Sequence, residues 1–130
     1  MYVGEYGEGK KHGRGQLSFS DGSHYTGEFE TNEIQGKGRY VWPDQKIYEG
    51  CWDNNKMNGH GVIVWKDGKK YDGNFVNDKR EGFGEFTWKD GRVYKGMWLD
   101  GKQHGRGEFI SKNGEVREGE WEQGRKIKWI

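Results

Sequence analysis

Residues 71–91 read YDGNFVNDKREGFGEFTWKDG, and this stretch returns whenever the chain is shifted by 23 residues. Tyr2, Tyr25, Tyr48, Tyr71 and Tyr94 are spaced by that period, and so are Gly4, Gly27, Gly50, Gly73, Gly96 and Gly119. The G-x-G pairs Gly13/Gly15, Gly36/Gly38, Gly59/Gly61, Gly82/Gly84 and Gly105/Gly107 keep the same phase. A fixed period in the twenties marks a repeat architecture. Units 2–24, 25–47, 48–70, 71–93 and 94–116, with a partial unit 117–130, tile the chain as one array without an insertion. No capping segment is legible at either end, so the chain reads as a complete small subunit or as a piece of a longer array.

Within a unit, hydrophobic periodicity gives two strands. Tyr71, Gly73 and Phe75 alternate with polar residues, as do Gly84, Phe86 and Trp88, and period-two spacing with aromatics predicts strands. Asn77 to Glu81 is polar and reads as a loop. Asp90-Gly91, with its counterparts Asp21-Gly22, Asp67-Gly68 and Asn113-Gly114, reads as a two-residue hairpin turn; Asp44-Gln45 departs from it. The expectation is a meander of about eleven short antiparallel strands.

The rings sort by position. One file holds the five tyrosines, and a second holds Tyr6, Phe29, Trp52, Phe75, Trp98 and Trp121. A third holds Tyr40, Phe86 and Phe109, and a fourth Phe19, Trp42, Trp65 and Trp88. All four share one strand parity, so they face the same way. Glu5, Glu28, Asp72, Lys95 and Glu118 take the other face, made greasier in the middle by Val41, Val62 and Val64. Glycine between rings leaves backbone bare for a ring to lie on. The predicted fold is all-β: an elongated single-layer antiparallel meander of stacked hairpins, curled about an aromatic-lined groove.

Composition agrees. Hydrophobic residues make up 30% and charged residues 33%, with a mean hydropathy of -1.24, too polar for an aliphatic two-layer core. Half of that hydrophobic set is aromatic, which argues against disorder. A net charge of +1 gives no global field toward nucleic acid. The single cysteine, Cys51, leaves no internal disulfide and no cysteine-based zinc site, compatible with a cytoplasmic setting.

The spacing Y-x-G-x-W, G-K-x-H-G and G-x-G, fullest in Tyr94 to Trp98 and Gly101 to Gly107, resembles the MORN repeat (membrane occupation and recognition nexus) over the whole chain. The resemblance implies a stack of hairpins with an aromatic groove, in cytoskeletal, ciliary or membrane-contact assemblies. The last unit departs from the pattern: Arg117 replaces the tyrosine and 124–130 lacks the G-x-G. That end is expected to be frayed, capped or joined to something else.

Catalytic readings fail on geometry. Equivalent residues in adjacent units lie two strands apart, about 9.5 Å, too far to share one metal ion. His12 and His104 are equivalent positions four units apart, His60 reads as a loop residue and His24 follows a turn. The turn aspartates Asp21, Asp44, Asp67 and Asp90 suit backbone turn chemistry. Gly9 to Gly15 lacks the Walker spacing and its flanking helix. No enzyme, cofactor or metal is expected.

Two surfaces pass this screen. The ring face is expected to bind an extended or helical segment of a protein through Tyr25, Phe29, Trp42, Tyr48, Trp52, Trp65, Tyr71, Phe75, Trp88, Tyr94 and Trp98. A basic lip at Lys10, Lys11, Arg14, Lys102 and Arg106 offers the alternative of anionic lipid headgroups at a membrane surface. A third reading is an accessory module of a larger enzyme, which the resemblance implies. Open sheet edges add self-association by strand pairing.

Overall fold

The computed structural model describes residues 1–130 and consists of strands and turns, with no helix. The strands are β1 (Tyr2–Gly7), β2 (Lys10–Ser18), β3 (His24–Glu30), β4 (Glu33–Val41), β5 (Ile47–Asp53) and β6 (Lys56–Val64). They continue as β7 (Lys70–Val76), β8 (Lys79–Thr87), β9 (Val93–Leu99), β10 (Lys102–Ile110), β11 (Val116–Glu122) and β12 (Arg125–Trp129). Order in the sheet is order in the chain, every pair is antiparallel, and β1 does not meet β12. There is one layer.

Register explains the glycines. Gly4 faces Gly15, Gly15 faces Gly27, and the file runs on through Gly38, Gly50, Gly61, Gly73, Gly84, Gly96 and Gly107 to Gly119. A line of bare backbone therefore crosses every strand from β1 to β11. The tyrosines lie on it. A Cβ at position 73 would stand 2.7 Å from the Tyr71 hydroxyl, and one at 84 would enter the Tyr71 ring. That hydroxyl donates to the carbonyl of Asn74 at 2.9 Å, and Tyr25, Tyr48 and Tyr94 bond in the same way to Glu28, Cys51 and Met97.

Each tyrosine is also gripped edge-on by two rings. Tyr71 meets Phe75 of its own unit at 5.1 Å and Trp98 of the next at 5.4 Å, and Tyr48 likewise meets Trp52 and Phe75. Edge-to-face pairs contribute roughly 0.5–1.5 kcal/mol beyond area burial. Curled on itself, the sheet brings Tyr25, Tyr48, Tyr71 and Tyr94 to 0% exposure and Phe75 to 1%. A single layer thus acquires a core.

The turns differ from their sequence reading. Asn77 to Glu81 is not a loop: only Asn77 and Asp78 turn, at φ 48° and 73°, and β8 begins at Lys79. Positive φ at both central residues is the primed turn that suits the twist of two strands. Asp90-Gly91 is not that turn. Gly91 donates to the Trp88 carbonyl at 3.0 Å and Trp88 to the Arg92 carbonyl at 2.9 Å, which makes Lys89, Asp90 and Gly91 a three-residue loop. Gly91 at φ 96° closes it, the usual partner of a preceding ordinary turn. The two turn types alternate, so the sheet has a short-turn edge and a long-loop edge.

Neither are the two glycines of each G-x-G equivalent. Gly84 lies under the tyrosine, whereas Gly82 sits at φ 89° in a bulge, where β8 spends extra residues between Arg80 and Gly84. The last unit is ordered as a twelfth strand rather than frayed. Trp129 pairs with Gly119, packs 6.1 Å from Trp121 and carries the Arg117 guanidinium 4.2 Å above its ring. A tryptophan from the following strand thereby fills the place that Arg117 leaves without a ring.

Candidate functional site: the open flank of the ring face

Exposure on the ring face changes along the strand. Tyr25, Tyr48, Tyr71 and Tyr94 are closed while Tyr2 on the first strand is half-buried, Ile63 and Phe86 are 6% and 7% exposed, and Trp42, Trp65 and Trp88 are half-buried where each strand enters the long-loop edge. Of the eleven residues read as a groove, Tyr25, Phe29, Tyr48, Trp52, Tyr71, Phe75, Tyr94 and Trp98 are buried, because neighbouring rings cover them. Trp42, Trp65 and Trp88 keep open surface, as do Tyr40, Phe19 and Phe109 beside them.

These rings pack tilted in two groups, the second built around the closed Phe86, and no ring contact joins Trp42 to Trp65. Phe19 meets Tyr40 at 5.6 Å and Tyr40 meets Trp42 at 4.6 Å; Trp65 meets Phe86 at 5.6 Å and Phe86 meets Trp88 at 4.8 Å. A cation stands over each tryptophan: Lys46 Nζ at 4.4 Å from Trp42, Lys69 Nζ at 5.4 Å from Trp65 and the Arg92 guanidinium at 5.4 Å from Trp88. Sequence reasoning missed this, although the signal is there: a basic residue stands four places after each of the three tryptophans.

The proposed basic lip divides. Lys11 lies over the Tyr2 ring on the aromatic face, while Arg14 and Arg106 stand on the opposite face across from Glu28 and Glu120. Lys10 and Lys102 open β2 and β10, four units apart on the short-turn edge. Strand parity separates what sequence proximity had grouped. Arg80, read as a loop residue, instead inserts into the ring face, 4.7 Å above Trp98, and donates to the Gly101 carbonyl at 3.0 Å. Burial pushes its pKa down.

His60 is a strand residue on the far face, bonded to Asp72 at 2.7 Å. The turn aspartates do backbone work: Asp67 and Asp90 accept from the amides of Lys69 and Arg92 at 3.0 and 3.2 Å. The Arg92 amide and side chain hold the Asp90 carboxyl below the usual carboxylate range. On the far face Phe83, 59% exposed, sits opposite Met97, so one ring escapes the common direction.

The MORN repeat matches residues 2–24, 25–46, 48–70, 71–91 and 94–116. The chain belongs to the MORN-repeat family. No curated protein matches this MORN array in sequence. Among solved structures, the wild-type TCP10 domain of Danio rerio CPAP is 19% identical over 90% of this array and 61% of that chain, at a TM-score of 0.39. The array thus spans less than two thirds of that domain. The SAS-4 (dCPAP) TCP domain of Drosophila melanogaster, in complex with a proline-rich motif of Ana2 (dSTIL), is 11% identical over 88% of the array and 82% of that chain, at a TM-score of 0.29. No helix of the array is long and apolar enough to cross a membrane.

Proposed function

We propose that this MORN array is a non-catalytic scaffold that holds a segment of a partner protein along the open flank of its ring face. The observation that carries the reading is the half-buried file of Trp42, Trp65 and Trp88, repeated every two strands beside a closed core. Rings that fold stability alone required would be covered as the tyrosines are. Amphipathic rings left half open at regular steps suit protein contacts, where tryptophan supplies large area at small entropy cost. The step of about 9.5 Å equals roughly three residues of an extended segment. A cytoskeletal, ciliary or membrane-contact assembly, as the family resemblance implies, is the setting proposed with it.

The test is selection of peptides of random sequence, displayed on phage, against the folded array, with a Trp65→Ser/Trp88→Ser variant run in parallel. Peptides are expected to bind with micromolar affinity, shift the indole N–H signals of Trp42, Trp65 and Trp88, and lose binding to the variant. Circular dichroism must show the variant's sheet intact. Failure to enrich any peptide, or binders indifferent to the variant, overturns the proposal.

A further inference from the structure

Charge is not spread evenly over the two edges of the sheet. The long-loop edge of the second to fifth units carries Lys46, Lys66, Lys69, Lys70, Lys89, Arg92 and Lys112. Against these stand Asp44, Asp67, Asp90 and Glu115. Three of those carboxylates are occupied by their own loops: Asp44 accepts from the Lys46 amide at 2.9 Å, Asp67 from the Lys69 amide, and Asp90 from both the amide and side chain of Arg92. Lys46, Lys66, Lys70, Lys89 and Lys112 pair with no carboxylate within 4 Å. The short-turn edge is balanced by contrast: Lys10, Lys11, Lys56, Lys79, Arg80 and Lys102 stand there with Glu8, Glu30, Glu33, Asp53, Asp78, Glu81 and Asp100, and Lys79 is bonded to Asp100 at 2.7 Å. In a chain of net charge +1 the surplus is local, and apart from Lys70, which strand parity turns to the far face, it borders the open tryptophans.

From this we infer that the partner segment is acidic and extended, with a carboxylate at about every third residue. The inference rests on the scaffold reading above and names the chemistry of that same surface. Lys69 and Arg92, over Trp65 and Trp88, already meet Asp67 at 3.7 Å and Asp90 at 2.9 Å, so the cations left for a partner are Lys46 and the exposed file Lys66, Lys89 and Lys112, one per loop and 23 residues apart. A carboxylate arriving beside these half-buried rings forms its ion pair next to apolar surface, where charge attraction is stronger than in open water. Carboxylates at every third residue of an extended chain recur about every 10 Å, the step from Lys66 to Lys89 to Lys112.

Other polyanions fit less well. Bases of single-stranded nucleic acid need a free ring face to stack on. Trp42 and Trp88 pack on Tyr40 and Phe86, and a cation stands over each. An anionic bilayer, being flat, would meet the exposed loop tips, where Lys66 and Lys89 stand beside Asp67 and Asp90, and not the half-buried tryptophans behind them. A narrow acidic chain can pass beside the loop tips and reach the cations one by one.

The experiment uses the intact array and three synthetic peptides of about twelve residues. One has Glu at every third position, one has the same composition with the Glu residues clustered, and one has Gln for Glu. Binding is followed by the indole N–H shifts at about 30 mM and about 300 mM salt. The periodic acidic peptide is expected to bind about tenfold tighter than the Gln peptide, to exceed the clustered one, and to weaken at high salt. A Lys66→Gln/Lys69→Gln/Lys89→Gln/Arg92→Gln variant should lose that advantage while keeping its melting temperature. Equal binding of Glu and Gln peptides at the tryptophans overturns the acidic inference and leaves the scaffold reading standing. Absence of any peptide binding there, with the displayed library also unenriched, overturns both. Phosphatidylserine vesicles or oligothymidine binding more tightly than the acidic peptide at equal salt would overturn it in favour of a membrane or a nucleic acid.

Discussion

Gly73 shows how little room one residue has. A Cβ there would stand 2.7 Å from the Tyr71 hydroxyl and 2.8 Å from the Phe83 carbonyl, so neither a rotamer change nor a small shift makes space. Gly73→Val is expected to lower stability by at least the roughly 1–3 kcal/mol of an overpacked core. Asp72→Val, one residue away on the opposite face, should change it by less than about 1 kcal/mol, since it gives up only an exposed contact with His60. Urea unfolding of the two variants checks this, and equal midpoints would contradict the assignment of faces. The tyrosines give a second prediction. Burial raises Tyr25 and Tyr94 to about 12, and raises Tyr48 and Tyr71 as well. A tyrosine in the unfolded chain ionises near 10. Because the folded pKa lies above the unfolded one, this stability is complete below about pH 10 and is lost as pH rises through about 12. Melting temperature against pH should therefore fall over that window, and a Tyr71→Phe variant should fall less steeply.

At the scale of the element, the alternation of turn types fixes which edge is which. Asn54-Asn55 and Asn77-Asp78 both hold two consecutive positive φ angles, a conformation that costs ordinary residues about 1–2 kcal/mol each. Asn77→Val should destabilise by about that amount, whereas Asn77→Gly should be nearly neutral; thermal unfolding distinguishes them. Asp90→Ala should cost about 1 kcal/mol by freeing the Arg92 amide from its acceptor. Sequence reading found the alternating strands and the Asp-Gly turns along the chain, but expected about eleven strands where there are twelve and took the start of β8 for a loop. It misread the type of those turns because Asp-Gly suits a two-residue turn and a three-residue loop alike. Asn77 to Glu81 looked like one polar loop because Lys79 and Glu81 are charged strand residues. Arg80 between them points into the rings, which no local pattern of charge reveals.

For the whole molecule, each unit touches only its neighbours, so stability accumulates along the array by nearest-neighbour packing. Amide exchange should be slowest in β5 to β8, whose tyrosines are covered from both sides, and faster in β1, where Tyr6 is 64% exposed. Trp129→Ala should speed exchange in β11 more than in β7, since Trp129 packs only on the last strands. Uniform exchange across all strands would mean that the array unfolds as one cooperative body. The same one-dimensional build puts Trp42, Trp65 and Trp88 in register, so a partner can be read stepwise along them.

The sequence by itself determined the period, the strands, the shared direction of nearly all the rings and the membership of the MORN family, because each is written in local spacing. Tertiary structure alone decided which rings are closed and which are open. Burial in a single layer depends on the ring supplied by the next unit and on how the sheet curls, and neither lies within one repeat. It also decided that the surplus of positive charge borders the open tryptophans, because strand parity and alternating turns sort charges onto faces and edges that linear order does not distinguish.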